Sequence, residues 1–205
     1  MSDQVPDVVI SRLPLYVRVL DNLVRNRVRM ISSREFGAHV QMTPAQIRKD
    51  LSYFGRFGSQ GRGYDVAYLL GELRKILGLD REWPMALVGV GQLGRAVISY
   101  EGFATEGFRV VVAFDTDPRK SGEKVGPLVV RHIDEMETFI RQHNIVIGIV
   151  AVPAKDVQDA VDRLVRAGVM AILNYASLAA RVPESVRQRV VDPVLALQTM
   201  TYHLK

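Results

Sequence analysis

The residues best suited to chemistry in this sequence are three glycines and an acid. Gly89, Gly91 and Gly94 form a G-x-G-x-x-G string, Gly89-Val90-Gly91-Gln92-Leu93-Gly94. It closes an apolar run at 85–90 that shows no helical period and suits a buried parallel strand. In such a string the first glycine turns the chain off the strand, the second omits the Cβ that would block a pyrophosphate, and the third lets the next helix approach the sheet. A helix starting near Gln92 aims its free N–H groups and positive dipole end at the phosphates. The run 109–115 reads as a second buried strand, and its last residue, Asp115, lies 21 residues beyond Gly94. That is close to the spacing of about 20 for a carboxylate that accepts from ribose hydroxyls. Glycine-rich turns also occur without ligands, and Asp115 also suits a plain turn before Asp117-Pro118; the two features together favour a dinucleotide. A carboxylate at this place favours NAD+ and NADH over their 2′-phosphorylated forms, with Arg119 and Lys120 nearby as opposing charge.

These groups need a sheet to position them, and the chain beyond Asp115 alternates as an open α/β sheet should. Residues 124–130 read as a loop or short strand and 133–143 as a helix. The run 145–152 is a strand buried on both faces, stopped by Pro153. A helix runs on through Ala167, and strands follow at 170–175 and 186–191. Ligands of such sheets lie at the carboxyl ends of the strands, which adds Val152, Pro153, Asn174, Tyr175 and Ala176 as candidates, with ordinary loop roles as the competing reading. The last segment, 193–205, is a helix rich in apolar residues with no charge before its end. It needs a surface to cover, on its own domain or across a dimer.

The first part of the chain has a different pattern. Residues 1–8 look disordered, and a helix from about Ser11 to Asn26 carries Tyr16, Val19, Leu20 and Leu23 as an apolar stripe, with Arg18 off it and solvated. Ser32-x-x-Glu35 is a capping box for a helix ending near Val40. After a break at Gln41-Met42, Thr43, Pro44 and Gln46 start a third helix, which gives the pattern of a helix-turn-helix. Ile47, Leu51 and Phe54 face inward on it. Gln46, Arg48, Lys49, Ser52 and Tyr53 are left exposed, as donors suited to base edges and phosphates or as an ordinary polar face. The segment 57–64 has three glycines and an arginine between aromatic ends and reads as a hairpin, the wing of a winged helix, from which Arg62 reaches a minor groove. Asp65 caps a fourth helix through Leu77. The domain reading is a winged helix over 1–78, a linker at 79–84, a parallel-sheet dinucleotide domain over 85–192 and a terminal helix over 193–205.

The chain has 205 residues, 48% of them hydrophobic, and a net charge of +5. Residues 1–77 hold 12 of the 27 Lys/Arg and 7 of the 22 Asp/Glu, so the whole excess sits in the first part. A charge of this size supports a polyanionic partner only weakly. There is no cysteine, which removes disulfides, thiol switches and thiolate-held metal clusters. The four histidines, His39, His132, His143 and His203, are scattered without ligand spacing, so no metal is expected. No charged-then-apolar leader and no uncharged run near 18 residues is present, which predicts a cytoplasmic chain without membrane contact. No nucleophile elbow or positioned acid–base pair is found, and a winged helix would leave no residues for a substrate domain, so no catalytic residue is assigned.

Together, Ile47-Arg-Lys-Asp-Leu-Ser-Tyr-Phe-Gly55, the glycines around Tyr64, Gly89–Gly94, Ala113-Phe-Asp115 and Ile172-Leu-Asn-Tyr-Ala176 resemble the bacterial redox-sensing repressor family Rex. The likeness runs from about residue 9 to the C-terminus, and the 47–55 string is its specific part. It implies an α/β chain with an N-terminal winged helix, a Rossmann-like parallel-sheet domain and a C-terminal helix swapped between subunits. It also implies a homodimeric repressor of palindromic double-stranded operator DNA, released by NADH, with NAD+ competing. The family's switch residues fall on Arg18, Tyr100 and Asp192. The sequence departs from the family in the wing: Gln60 stands where a basic residue is usual and Arg62 where an apolar one is, leaving Gln60 and Arg62 both as contact candidates. The rival readings are an NAD-dependent oxidoreductase with a fused helical domain and a nucleotide- or CoA-binding module.

Overall fold

Helix α1 runs Asp7–Arg25 in a computed structural model that describes residues 5–59 and 61–204. It begins earlier than the sequence suggested: Val5 and Pro6 lead directly into it, and only residues 1–4 of the segment expected to be disordered lie outside the described residues. The burial pattern explains the start. Val9, Leu13, Tyr16, Val17, Leu20 and Leu23 are buried in one continuous phase, which carries the helix through Pro14 despite the backbone bond that a proline removes. Val17 rather than Val19 completes the buried face.

The two-residue strand β1 (Met30–Ile31) precedes α2 (Ser33–Val40), whose N-terminus is closed by the Ser32–Glu35 capping box. Gln41 adopts the left-handed conformation (φ 55°) and turns the chain into α3 (Pro44–Ser52), capped by Thr43. Strands β2 (Gly58–Ser59) and β3 (Gly63–Asp65) form the wing hairpin, and β1 pairs with the other side of β3. Strand β1 was not legible in the sequence because its partner is more than 30 residues away. Helix α4 (Val66–Ile76), capped by Asp65, packs on α1.

One carboxylate joins the first and third helices. Asp50 is fully buried on α3 and takes four hydrogen bonds: Arg12 Nε (2.6 Å) and Nη2 (2.7 Å), Tyr16 Oη (2.6 Å) and Gln46 Nε2 (2.6 Å). Burial opposes its charge, but the bonds from Arg12, Tyr16 and Gln46 outweigh that and hold its pKa below the ordinary value. Burial and the same carboxylate push the Tyr16 hydroxyl upward.

The chain divides into two compact units between Arg81 and Glu82. The second unit opens with β4 (Trp83–Val88), which starts two residues before the apolar run suggested because Trp83 pairs with Phe108. Helices α5 (Gln92–Ile98) and the single-turn α6 (Gly102–Thr105) lead to β5 (Phe108–Asp115). The segment expected to be a loop or one short strand is a hairpin of β6 (Lys124–Val125) and β7 (Leu128–His132). Then come α7 (Met136–Gln142), β8 (Ile147–Val150), α8 (Val157–Ala167), β9 (Ala171–Asn174), β10 (Arg187–Val190) and α9 (Pro193–Thr201).

The strands are ordered β10-β9-β8-β4-β5-β7-β6, parallel except for β6. Without β6 this is the doubly wound order, in which the chain leaves β4 to one side and later returns at β8 on the other. Alternate residues of β4 feed two cores. Ala86 and Val88 join Met136, Ile140, Val161 and Leu164 of α7 and α8, whereas Met85 and Leu87 join Val97 of α5. One edge of the sheet is the two-residue β6, and the other is β10, where Arg187 and Arg189 are exposed.

Asp50→Ala leaves Arg12 and Tyr16 without their shared acceptor, and loss of one partner of a buried ion pair costs about 3–5 kcal/mol. The first unit is therefore expected to unfold at markedly lower denaturant. The folded pKa of Asp50 is depressed, so its contribution is complete above the ordinary value of 3.8 and is lost as pH falls through the lower folded value. Denaturation curves for the wild type and Asp50→Asn, compared between pH 5 and pH 2, check this: the variant lacks that acid-dependent component.

Candidate functional site

The carboxyl ends of β4, β5 and β8 enclose a cavity of about 530 Å³. Its wall includes Gly89, Gly91, Asp115, Val152 and Pro153 from the residues singled out in the sequence, together with Lys120 and Lys155. It lies where the strand order reverses, between β4 and β8, the place at which open α/β sheets hold ligands.

The three glycines divide the work as their spacing predicts. Gly89 has φ +96°, a left-handed conformation, and a Cβ there would press on the carbonyl of Ala151. At Gly94 a Cβ would collide with the carbonyl of Gly89, so α5 sits closer to the end of β4 than a side chain permits. At Gly91, by contrast, a Cβ would meet no atom within 4 Å. Its vacant position faces open space beside the start of α5, which fits the approach of a pyrophosphate. Val90 is fully buried; Gln92 and Leu93 are exposed on the first turn of α5.

Asp115 is 8% exposed, and its two oxygens are well occupied. The Val90 N–H and the Lys120 ammonium both donate to Oδ2 at 2.8 Å, and the Asp117 N–H donates to Oδ1 at 2.9 Å. Burial works against its charge, but Lys120 and the two backbone donors prevail and lower its pKa below the ordinary value. An ionised carboxylate anchored to the glycine turn is what ribose recognition requires. Arg119, the other nearby cation, is engaged with Asp117, whose pKa it lowers to about 2.

Asn174, Tyr175 and Ala176 do not line this cavity. Asn174 is fully buried and stitches its own loop, donating to the carbonyl of Leu178 and accepting from the N–H of Ala176. Burial raises the pKa of Tyr175, and the nearby Tyr100 adds to this, so these two residues lie in one neighbourhood. Tyr100 is 61% exposed and meets Phe103 edge-on at 5.1 Å. Asp192 accepts from the Val194 N–H at 2.9 Å and caps α9. Arg18 is exposed and belongs to the first unit.

In the first unit a groove of about 800 Å³ runs between α3 and the wing, lined by Arg48, Ser52, Arg56 and Arg62 among others. Arg48 donates to Ser33 Oγ at 3.0 Å, which steadies its guanidinium at the groove wall. Lys49 and Arg62 are exposed, Tyr53 is half-buried, and the Ser52 hydroxyl donates to the carbonyl of Lys49. Gln46 differs from expectation: its side-chain amide is half-buried and engaged by Asp50. Gln60 lies outside the described residues. Arg56 was missed, although its place between Gly55 and Phe57 next to the wing was readable. Among the described residues, no helix is long and apolar enough to cross a membrane, and no group of three or more His, Asp or Glu is placed to hold a metal.

Residues 4–52 match the family described as putative DNA-binding protein N-terminus, and residues 80–178 match the CoA binding domain family. The redox-sensing transcriptional repressor Rex of Chloroflexus aurantiacus is 52% identical over 99% of this chain and 96% of its own length. The chain belongs to the Rex family. The Rex of Carboxydothermus hydrogenoformans is 45% identical over 98% of this chain and 97% of its own. The solved structure of RSP, a Rex-family repressor, in complex with beta-NAD+ and operator DNA superposes with a TM-score of 0.93 at 41% identity, covering 98% of this chain and 93% of that one. RSP with beta-NADH gives 0.88 at 40%, covering 98% and 94%. These Rex relatives are named as repressors rather than enzymes. The mixed α/β architecture expected from the sequence is the one found, with a parallel sheet following a DNA-binding N-terminus.

The contrast between Gly91 and Gly94 gives a paired expectation. Gly94→Ala lowers the thermal midpoint of the second unit because the backbone of α5 must move. Gly91→Ala leaves the midpoint within a degree or two but weakens dinucleotide binding by about tenfold or more. Calorimetry of unfolding and of binding on the same two variants checks both halves.

Proposed function

We propose that this chain is a redox-sensing transcriptional repressor that binds palindromic operator DNA as a homodimer and leaves it when NADH enters the glycine-lined cavity, with NAD+ competing. The observation that carries the reading is the pairing, in one chain, of a cation-walled groove beside a helix-turn-helix with a cavity that has ribose and pyrophosphate features. The RSP complex with both beta-NAD+ and operator DNA supports it. Repressor action on DNA places the protein in the cytoplasm.

In this reading the first unit, through Arg81, serves DNA binding, residues 82–192 hold the dinucleotide, and 193–205 pair the subunits; the linker expected over 79–84 is absorbed, since Leu79 packs on the first core and Trp83 opens β4. Val194, Leu195, Leu197, Met200 and Tyr202 of the terminal segment are 55–76% exposed, more apolar surface than a helix leaves to water without a partner. A second copy of the chain that takes this helix covers it and supplies the two-fold axis that a palindrome needs.

Arg48, Lys49, Arg56 and Arg62 are the phosphate and base contacts of this reading, with Ser52 and Tyr53 beside them, and Gln60 remains a candidate from the sequence alone. Gln46, held by Asp50, orients α3 more than it reads bases. In the cavity, Gly91 admits the pyrophosphate, Asp115 takes the adenosine ribose, and Val152 and Pro153 close the wall. The oxidised and reduced forms differ in charge at the nicotinamide, so only residues near that end can favour one dimer form over the other. Tyr100 and Asp192 of the second unit are assigned to that end, where Asp192 answers the charge by pairing with Tyr100 in one form and releasing it in the other. Arg18, on α1 of the first unit, is the third switch residue that the family resemblance implies.

Operator binding, titrated with NADH at several fixed NAD+ levels and stated salt, tests this. NADH is expected to release DNA and NAD+ to shift the release to higher NADH; unchanged DNA binding with bound NADH contradicts the reading. Turnover of a hydride-accepting substrate would favour an oxidoreductase instead. Lys49→Ala is expected to weaken operator and non-specific DNA alike and to reduce the slope of log affinity against log salt by about 1.

A further inference from the structure

We propose that Lys120 governs how strictly the nucleotide cavity separates a dinucleotide with a free ribose diol from one that carries a 2′-phosphate, and that it relaxes this separation. The inference deepens the dinucleotide reading above and rests on it.

Asp115 has too few open acceptor sites for a whole ribose diol. An ionised carboxylate offers about four lone-pair positions, two on each oxygen. The Val90 N–H and the Lys120 ammonium fill both positions on Oδ2, and the Asp117 N–H fills one on Oδ1. One position remains. A ribose diol bound through both hydroxyls needs two, so one hydroxyl is accepted directly and the second requires Lys120 to move. The backbone donors are fixed by the glycine turn and by the turn at Asp117, whereas Lys120 is a flexible side chain, 29% exposed, on a short 3-10 turn over 118–120. It is the donor that yields.

The same ammonium changes what a 2′-phosphate meets. A bare carboxylate at the ribose edge repels that phosphate, and this repulsion is the usual basis for preferring the unphosphorylated dinucleotide. Here the carboxylate arrives paired with a cation at 2.8 Å, and both groups line the cavity. Lys120 turns from Asp115 to the phosphate and replaces one charge-assisted contact by another. Arg119 does not share this role because Asp117 binds its guanidinium through two contacts, at 3.0 and 2.8 Å. Lys155 also lines the cavity, but no bond joins it to Asp115.

The test uses the full chain and measures dissociation constants for NADH and NADPH by nicotinamide fluorescence, for the wild type, Lys120→Met and Lys120→Arg. Lys120→Met is expected to raise the ratio of the NADPH constant to the NADH constant roughly tenfold, the worth of one charge-assisted contact. Lys120→Arg, which keeps the cation, is expected to hold the ratio near that of the wild type. An unmoved ratio in Lys120→Met, an equal loss of both ligands, or wild-type NADPH binding too weak to measure overturns the inference while leaving the NADH site standing. Absence of NADH binding by the wild type overturns the inference together with the site on which it rests.

Discussion

Helix α5 comes closer to the end of β4 than any side chain at Gly94 would permit, and the shape of the glycine-lined cavity depends on that approach. It sets the start of α5 over the sheet, leaves the vacant side of Gly91 facing the cavity, and puts the Val90 N–H within reach of the acid at the end of β5. The bond between Val90 and Asp115 then ties two adjacent strand ends together. The turn, the acid and the helix start are therefore ordered by the protein's own contacts. Less rotational freedom remains to be lost when a ligand arrives.

The first unit solves a similar problem with a different carboxylate. Asp50 gathers donors from α1 and from its own helix, and its charge persists inside the protein because four hydrogen bonds replace the lost water. In both units a buried acid fixes a helix or turn whose neighbouring polar groups face outward. A rigid element under a polar surface holds its side chains to a narrower geometry than a loop does.

Much of this arrangement was legible in the chain. The glycine string, the acid 21 residues on, the Ser32 capping box, the Thr43 and Asp65 caps and the break at Gln41 all depend on neighbours in sequence, and the structure places each where local rules put it. Long-range pairing was less visible. Strand β1 exists only because β3 returns beside it, and β7 is a strand because it lies along β5. The onset of α1 was hidden because residues 1–8 read as disordered, whereas burial of Val9 in phase with Leu13 carries the helix back to Asp7. Asp50 carried no assignment in the sequence, because a carboxylate is seldom fully buried unless a partner meets it, and its partners lie on a distant helix. Yet its phase, between Ile47 and Leu51 on the inward face, matched Arg12 and Tyr16 one turn apart on α1. The ends of β8 and β9 were treated as equivalent, although Asn174 turns inward to bind its own loop while Val152 and Pro153 border the cavity.

The sheet's two margins bear on how copies of this chain meet. Strand β6 is too short to template another strand, and β10 sets Arg187 and Arg189 on alternate exposed positions along its free side. Like charges in a row repel a matching strand from a second molecule, so fibril-like growth by added strands is discouraged from either margin. Crowded molecules are thereby steered away from open-ended polymerisation.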